Sequence, residues 1–167
     1  MAQTYKGKYR VKNPEMYKGN SDDVVYRSHW EKNCFLYLDG HPDVEWWASE
    51  EFVVPYYYEV DKKYHRYFID LSIKFKNGKH LLVEVKPKRQ TEPPKIKNPR
   101  SKRSLTEAYS WIKNVNKWEA ADQIAKDNGW EFVIWTEDDL KRFGILKGQP
   151  GTIKSMKRMN PYRKKST

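Results

Sequence analysis

The residues with the clearest capacity for chemistry are Asp70, Glu84 and Lys86. They lie in two stretches of alternating character. Tyr67, Ile69, Leu71, Ile73 and Phe75 alternate with Asp70, Ser72, Lys74 and Lys76, while Leu81, Val83 and Val85 alternate with His80, Leu82, Glu84 and Lys86. A period of two predicts strands with one buried face, and Asn77-Gly78 between them predicts a hairpin. A two-residue turn would set Asp70 against Val85 and every apolar residue against polar ones, which burial forbids. A three-residue loop, Lys76-Asn77-Gly78 with Gly78 left-handed in a bulge, shifts the pairing by one. Ile73 then faces Leu81, Leu71 faces Val83, Ile69 faces Val85, and Asp70 lands opposite Glu84. Lys86 follows on the same side.

Opposed strand residues sit about 4.5–5.5 Å apart at Cβ. Two carboxylates at that spacing repel, and a sheet gains nothing from them. A divalent cation between them resolves the conflict, and hard oxygen donors select magnesium, with manganese as the alternative. Such an ion activates a water and stabilises charge on a scissile phosphate. Lys86 beside it would orient that water or hold a phosphate oxygen. A D…ExK pattern alone is short, and the competing reading is of ordinary solvent-facing strand residues.

The elements that must position these groups follow an α/β pattern. Residues 1–20, broken by Gly7, Pro14 and Gly19, read as an irregular basic arm. Ser21-Asp22-Asp23 predicts a helix start, with the helix running to Leu38 before Gly40. Val44 to Val54 reads as a first strand ending at Pro55, and Tyr56–Tyr64 as loop or ragged strand. Residues 86–103, with four prolines and eight basic residues, read as a loop or flap. Ser104-Leu105-Thr106-Glu107 has capping-box spacing. It opens a helix with Ala108, Trp111, Ile112, Val115, Trp118, Ala121 and Ile124 on one stripe, ending at Asn128-Gly129. Trp130–Trp135 is a last strand, and Thr136 caps a short acidic helix. The order is helix, three antiparallel strands, helix, strand, in a mixed sheet. The expected division is an arm at 1–20, a catalytic domain at 21–140 and a basic tail at 141–167.

Charge is segregated along this plan. Residues 1–20 hold five basic and one acidic residue, 86–103 eight and one, and 141–167 nine and none. The rest of the chain is net acidic, although the whole carries +11. Three basic segments around an acidic core fit a polyanion, and double-stranded DNA is the expected partner. Lys88 and Arg89 follow Lys86 at once and are expected to hold phosphates, as are Lys95, Lys97, Arg100, Lys102 and Arg103. Lys117 and Asn114, on the polar side of the second long helix, are further candidates. His80 and Lys74 share the strand face of the carboxylates, so contact with DNA is open to them too.

Several classes are excluded. Seven tryptophans and 15% aromatic residues supply a packed core, so the chain is not a disordered polycation. No apolar run reaches the roughly 20 residues of a membrane span, and the N-terminus lacks a secretory signal pattern. One cysteine, Cys34, permits no intrachain disulfide. The four histidines have no zinc spacing. No glycine-rich phosphate loop is present, so no nucleotide cofactor is expected. Ser28 has no accompanying nucleophilic arrangement.

Asp70 followed by Glu84-Val85-Lys86 on the next strand resembles the PD-(D/E)xK nuclease superfamily, although Ile69 stands where the motif has proline. The element order is similar to that superfamily's restriction-endonuclease-like core. Tyr26-Arg27-Ser28-His29-Trp30-Glu31 resembles the first-helix acidic motif of its transposon-end-cleaving and mismatch-repair branches. The resemblance implies DNA phosphodiester cleavage with magnesium, with Glu31, Asp70, Glu84 and the Val85 carbonyl around the metal. Residues 1–7, 10–14 and 25–28 also resemble a family of tailed-bacteriophage head nucleases. That likeness implies a virion protein, present in the host cytoplasm during assembly, acting on the filled head before tail joining and meeting portal or neck proteins. Two other readings stay open at this stage. One is a non-catalytic DNA-binding head or neck protein on a nuclease fold, and the other a dimeric junction resolvase.

Overall fold

The computed structural model describes residues 5–147. Its centre is a four-stranded mixed sheet of β3 (Val44–Ala48), β6 (Leu71–Phe75), β7 (His80–Val85) and β8 (Glu131–Trp135), in the order β3-β6-β7-β8. The first two pairings are antiparallel and β7–β8 is parallel. The return to a parallel strand needs a crossover, which α2 (Lys102–Asp127) supplies. The architecture is the restriction-endonuclease-like α/β core expected from the element order.

The hairpin register is the one that burial demands. Leu71 pairs with Val83, Ser72 with Leu82 and Ile73 with Leu81. Phe75 N–H donates to the Lys79 carbonyl at 2.8 Å, which closes a three-residue loop, and Gly78 has φ +92°. No Cβ could take that φ without strain.

One expectation about these strands fails. They are covered on both faces, not one, because helices flank both sides of the sheet. Leu71, Ile73, Leu81, Val83, Val133 and Trp135 pack with Cys34, Phe35 and Leu38 of α1 (His29–Leu38). Leu82, Phe132 and Ile134 pack with Trp118, Ala121 and Ala125 of α2. Ile69 joins this second core and not the Leu71 side, so the chain turns over between them. His80 is likewise buried, bonded to Ser72 at 2.8 Å and packed on Trp130, four residues along β7 from Glu84.

Three further segments differ from the sequence reading. Val24–Tyr26 is a strand, β2, paired with β1 (Gly7–Tyr9), because β-branched and aromatic residues outweigh the caps before them. α1 therefore starts at His29, with the Ser28 hydroxyl accepting from Glu31 N–H at 3.1 Å. Within residues 1–20, the described part is packed and not a loose arm. Tyr9, Val11 and Tyr17 are buried in the first core. The tyrosine-rich stretch forms a hairpin of β4 (Val53–Tyr58) and β5 (Lys63–Phe68), with Pro55 paired to Arg66 inside it. Its inner face, Val54, Tyr56, Tyr58 and Tyr67, packs under α2.

The loop at 86–103 holds one short 3-10 turn, Lys88–Gln90, before Ser101 caps α2 three residues earlier than the predicted box. Gly129 (φ +72°) ends that helix as expected. α3 (Glu137–Arg142) follows Thr136, whose N–H and hydroxyl both donate to Asp139. No helix among the described residues is long and apolar enough to cross a membrane. Of the predicted basic tail, residues 148–167 lie outside the described residues, as do 1–4.

Candidate active site

The end of the β6–β7 ladder builds the site. Hydrogen-bonded pairs alternate along an antiparallel ladder. Beyond Leu71–Val83, the next rung would run from Val85 N–H to the Ile69 carbonyl. That carbonyl instead accepts from Glu50 N–H at 3.1 Å, and Ile69 N–H donates to Phe52. Val85 N–H is left for the side chain of Asp70, whose Oδ2 accepts it at 2.8 Å. The turn-over of the chain at Ile69 thus draws the Asp70 carboxylate to the strand end, beside Glu84. β7 continues straight: Lys86 N–H donates to the Trp135 carbonyl at 3.0 Å, extending the parallel pairing and fixing the lysine's backbone.

Glu84 is only 5% exposed. Its Oε2 accepts from the Tyr67 hydroxyl, and its Oε1 lies 3.4 Å from Lys86 Nζ. Asp70 is held well above the usual carboxylate range, first by burial, then by the facing Glu84, with Glu31 adding a smaller effect. The Val85 N–H and Lys86 oppose that rise. Ionising both carboxylates would concentrate negative charge in a buried site, which burial makes costly.

Glu31, on the first turn of α1, borders the same site. It is close enough to raise Asp70, and burial raises its own carboxyl in turn. Its Oε2 accepts from Arg27 N–H at 2.9 Å, so it also braces the helix start. Together with Tyr5, Arg27, Val85 and Lys86 it lines a cleft of about 440 Å³ that opens to solvent. Arg27 is ion-paired to Glu50 at 2.9 Å.

Lys117 reaches in from α2. Its Nζ sits 5.2 Å from the Tyr67 ring and 5.9 Å from the Tyr56 ring. Burial lowers its pKa, while Glu84 and Asp70 pull it back up. Asp70, Glu84, Lys86, Glu31 and Lys117 are thus brought together. Lys88 is not: its Nζ pairs with Asp138 at 3.1 Å and its N–H donates to Glu137, which ties it to the start of α3. Arg89 is exposed on the 3-10 turn beside it. His80 and Lys74 line a different cleft, with Trp46 and Trp130. Among the described residues, no three His, Cys, Asp or Glu side chains form a group that could hold a metal ion by themselves.

Tyr67 escaped the sequence reading. Its alternation marked it as a buried strand residue, and nothing in the local pattern said that its hydroxyl would meet a carboxylate seventeen positions away.

Two facing carboxylates and a lysine at the end of a mixed sheet, with an acidic residue supplied by the preceding helix, define a restriction-endonuclease-like core. The model of the family described as TnsA-like endonuclease N terminal matches residues 41–137, more than half of the chain, and the chain belongs to that family. It is also 39% identical over 145 residues to the head completion nuclease of Enterobacteria phage T4, an alignment that covers 84% of this chain and 97% of that protein.

Proposed function

We propose that this chain is a metal-dependent DNA endonuclease that hydrolyses phosphodiester bonds during bacteriophage head completion, before head and tail join. The observation that carries the reading is the meeting of Asp70 and Glu84 just beyond the end of the β6–β7 ladder, where Glu84 is near enough to raise the Asp70 carboxyl. Each carboxylate has one oxygen tied by a protein donor, Val85 N–H or the Tyr67 hydroxyl. Asp70 Oδ1 remains, and Glu84 Oε1 is shared with Lys86 Nζ at 3.4 Å; these hard oxygens in a buried acidic site fit magnesium or manganese.

Asp70, Glu84 and the Val85 carbonyl are the residues that would hold the cation directly, with Glu31 at the border of the site adding its charge. When bound, it supplies Lewis acidity toward water and charge neutralisation at the phosphate. The chain's own groups do the rest. Lys86, beside Glu84 Oε1, orients the attacking water and offsets charge on the phosphate. Lys117 adds a second cation from α2. The cleft beside Glu31 and Lys86 admits the DNA backbone, and Arg89 with the basic loop through Arg103 holds flanking phosphates. Lys88 contributes there only by exchanging its Asp138 partner for phosphate. The likeness to a head completion nuclease supports a place in the virion, assembly in the host cytoplasm, and contact with portal or neck proteins.

The test is cleavage of supercoiled and linear DNA in magnesium by the parent, Asp70→Ala and Glu84→Ala. The proposal expects cleavage by the parent that both variants lose. Binding without cleavage by all three would favour a non-catalytic DNA-binding role.

A further inference from the structure

We propose that Tyr67 is a positioning residue for the cation site, holding Glu84 so that Oε1 rather than Oε2 is offered to a divalent ion. The proposal rests on the nuclease reading above and deepens it.

Tyr67 sits on the second strand of the β4–β5 hairpin. Outward residues Arg66 and Phe68 flank Tyr67, which points inward and is 2% exposed. It pairs across the hairpin with Val54, itself fully buried. Lys117 over the ring adds a second restraint. The ring therefore has little freedom, and its hydroxyl is fixed with it.

That hydroxyl donates to Glu84 Oε2. A glutamate has three rotatable side-chain bonds, and an unrestrained carboxylate would sample several orientations. Here one oxygen is captured by Tyr67 and the other faces Lys86 at 3.4 Å. At 5% exposure, bulk water cannot replace the captured bond. Donors of this kind orient metal-binding groups, and their removal typically costs about 10–100-fold in metal affinity or activity.

Tyr67→Phe removes the hydroxyl and leaves the ring. Two readouts apply: binding of Mn2+ to the DNA-free protein by electron paramagnetic resonance, and cleavage rate as a function of magnesium. The expected result is a loss of Mn2+ affinity of about 10–100-fold. The magnesium needed for half-maximal rate should rise by a similar factor. Saturating magnesium should restore most of kcat, and KM for DNA should not change. A parent-like melting temperature of Tyr67→Phe in EDTA would separate a lost orientation of Glu84 from a general loss of structure, which magnesium could also rescue by mass action. Parent-like Mn2+ affinity and magnesium demand in Tyr67→Phe would overturn the proposal.

A second comparison keeps the test sound if Tyr67→Phe is also less stable. Adding Tyr67→Phe to Glu84→Gln should lower Mn2+ affinity no further. Full additivity would mean that the hydroxyl does not act through Glu84, which also overturns the proposal. Asp70→Asn separates this inference from the reading beneath it. If the parent binds Mn2+ and Asp70→Asn does not, the nuclease reading stands whatever Tyr67→Phe does. A parent that neither binds Mn2+ nor cleaves DNA removes both.

Discussion

Replacing Asp70 with asparagine should stabilise the metal-free protein while removing its activity. Glu84 is near enough to raise the Asp70 carboxyl, and two unit charges about 4–6 Å apart repel by about 3–4 kcal/mol at an effective dielectric constant of 20. Lys86 and the Val85 N–H offset part of this, leaving roughly 1–3 kcal/mol to be gained. Asparagine retains an oxygen for Val85 N–H, so the local bond survives. For a chain of this length, each kcal/mol moves Tm by about 2–4 °C.

The pH dependence follows from the direction of the Asp70 shift. Its carboxyl is raised in the folded state by burial and by Glu84. The folded protein therefore keeps that proton longer than the unfolded chain does. The associated stability is fully present below the unfolded value, near pH 4, and is lost as pH rises through the raised value. Asp70→Asn should remove this decline. Its advantage should be absent near pH 4 and should grow as pH rises toward and through the raised value. Saturating magnesium should stabilise the parent by mass action and narrow the gap. Differential scanning calorimetry of parent and variant, in EDTA and in magnesium across this range, is the assay. Equal Tm values in EDTA at neutral pH would refute the account of the site as an uncompensated carboxylate pair.

Three other outcomes are expected. Asp139→Ala should cost about 2–3 kcal/mol in urea unfolding, since the buried carboxylate accepts from Thr136 N–H and hydroxyl and pairs with Arg142; a loss under half of that would show that α3 does not need this cap. Gly78→Ala should cost about 1 kcal/mol from backbone strain alone, because an added Cβ meets nothing within 4 Å, and Gly78→Asn should cost less by the same measurement. Neutralising Lys95, Lys97 and Arg100 together should lower the slope of log affinity for DNA against log salt by up to about 3, if each meets one phosphate; an unchanged slope would remove that loop from the interface.

Local physics decided a good part of this protein. A period of two, a glycine at the loop end and the need to bury Leu71, Ile73, Leu81 and Val83 left one workable register, which carries Asp70 toward Glu84. Lys86 followed from its place two residues on. The final strand, its acidic helix and the stop at Gly129 were equally plain, because each depends on residues a few positions apart. Contacts between distant segments settled the rest. Val24–Tyr26 completes its strand against Gly7–Tyr9, and Tyr56–Tyr58 completes its own against the returning Lys63–His65. The sheet is buried twice over because α1 and α2 cover opposite faces, which alternation within one strand does not encode. The hold of Asp70 on Val85 N–H depends on Glu50 and Phe52 taking the backbone of Ile69. The grip of Tyr67 on Glu84 depends on a hairpin folded under α2. Hydrogen bonds of this kind join groups whose distance along the chain carries no signal, so only the tertiary structure could bring them together.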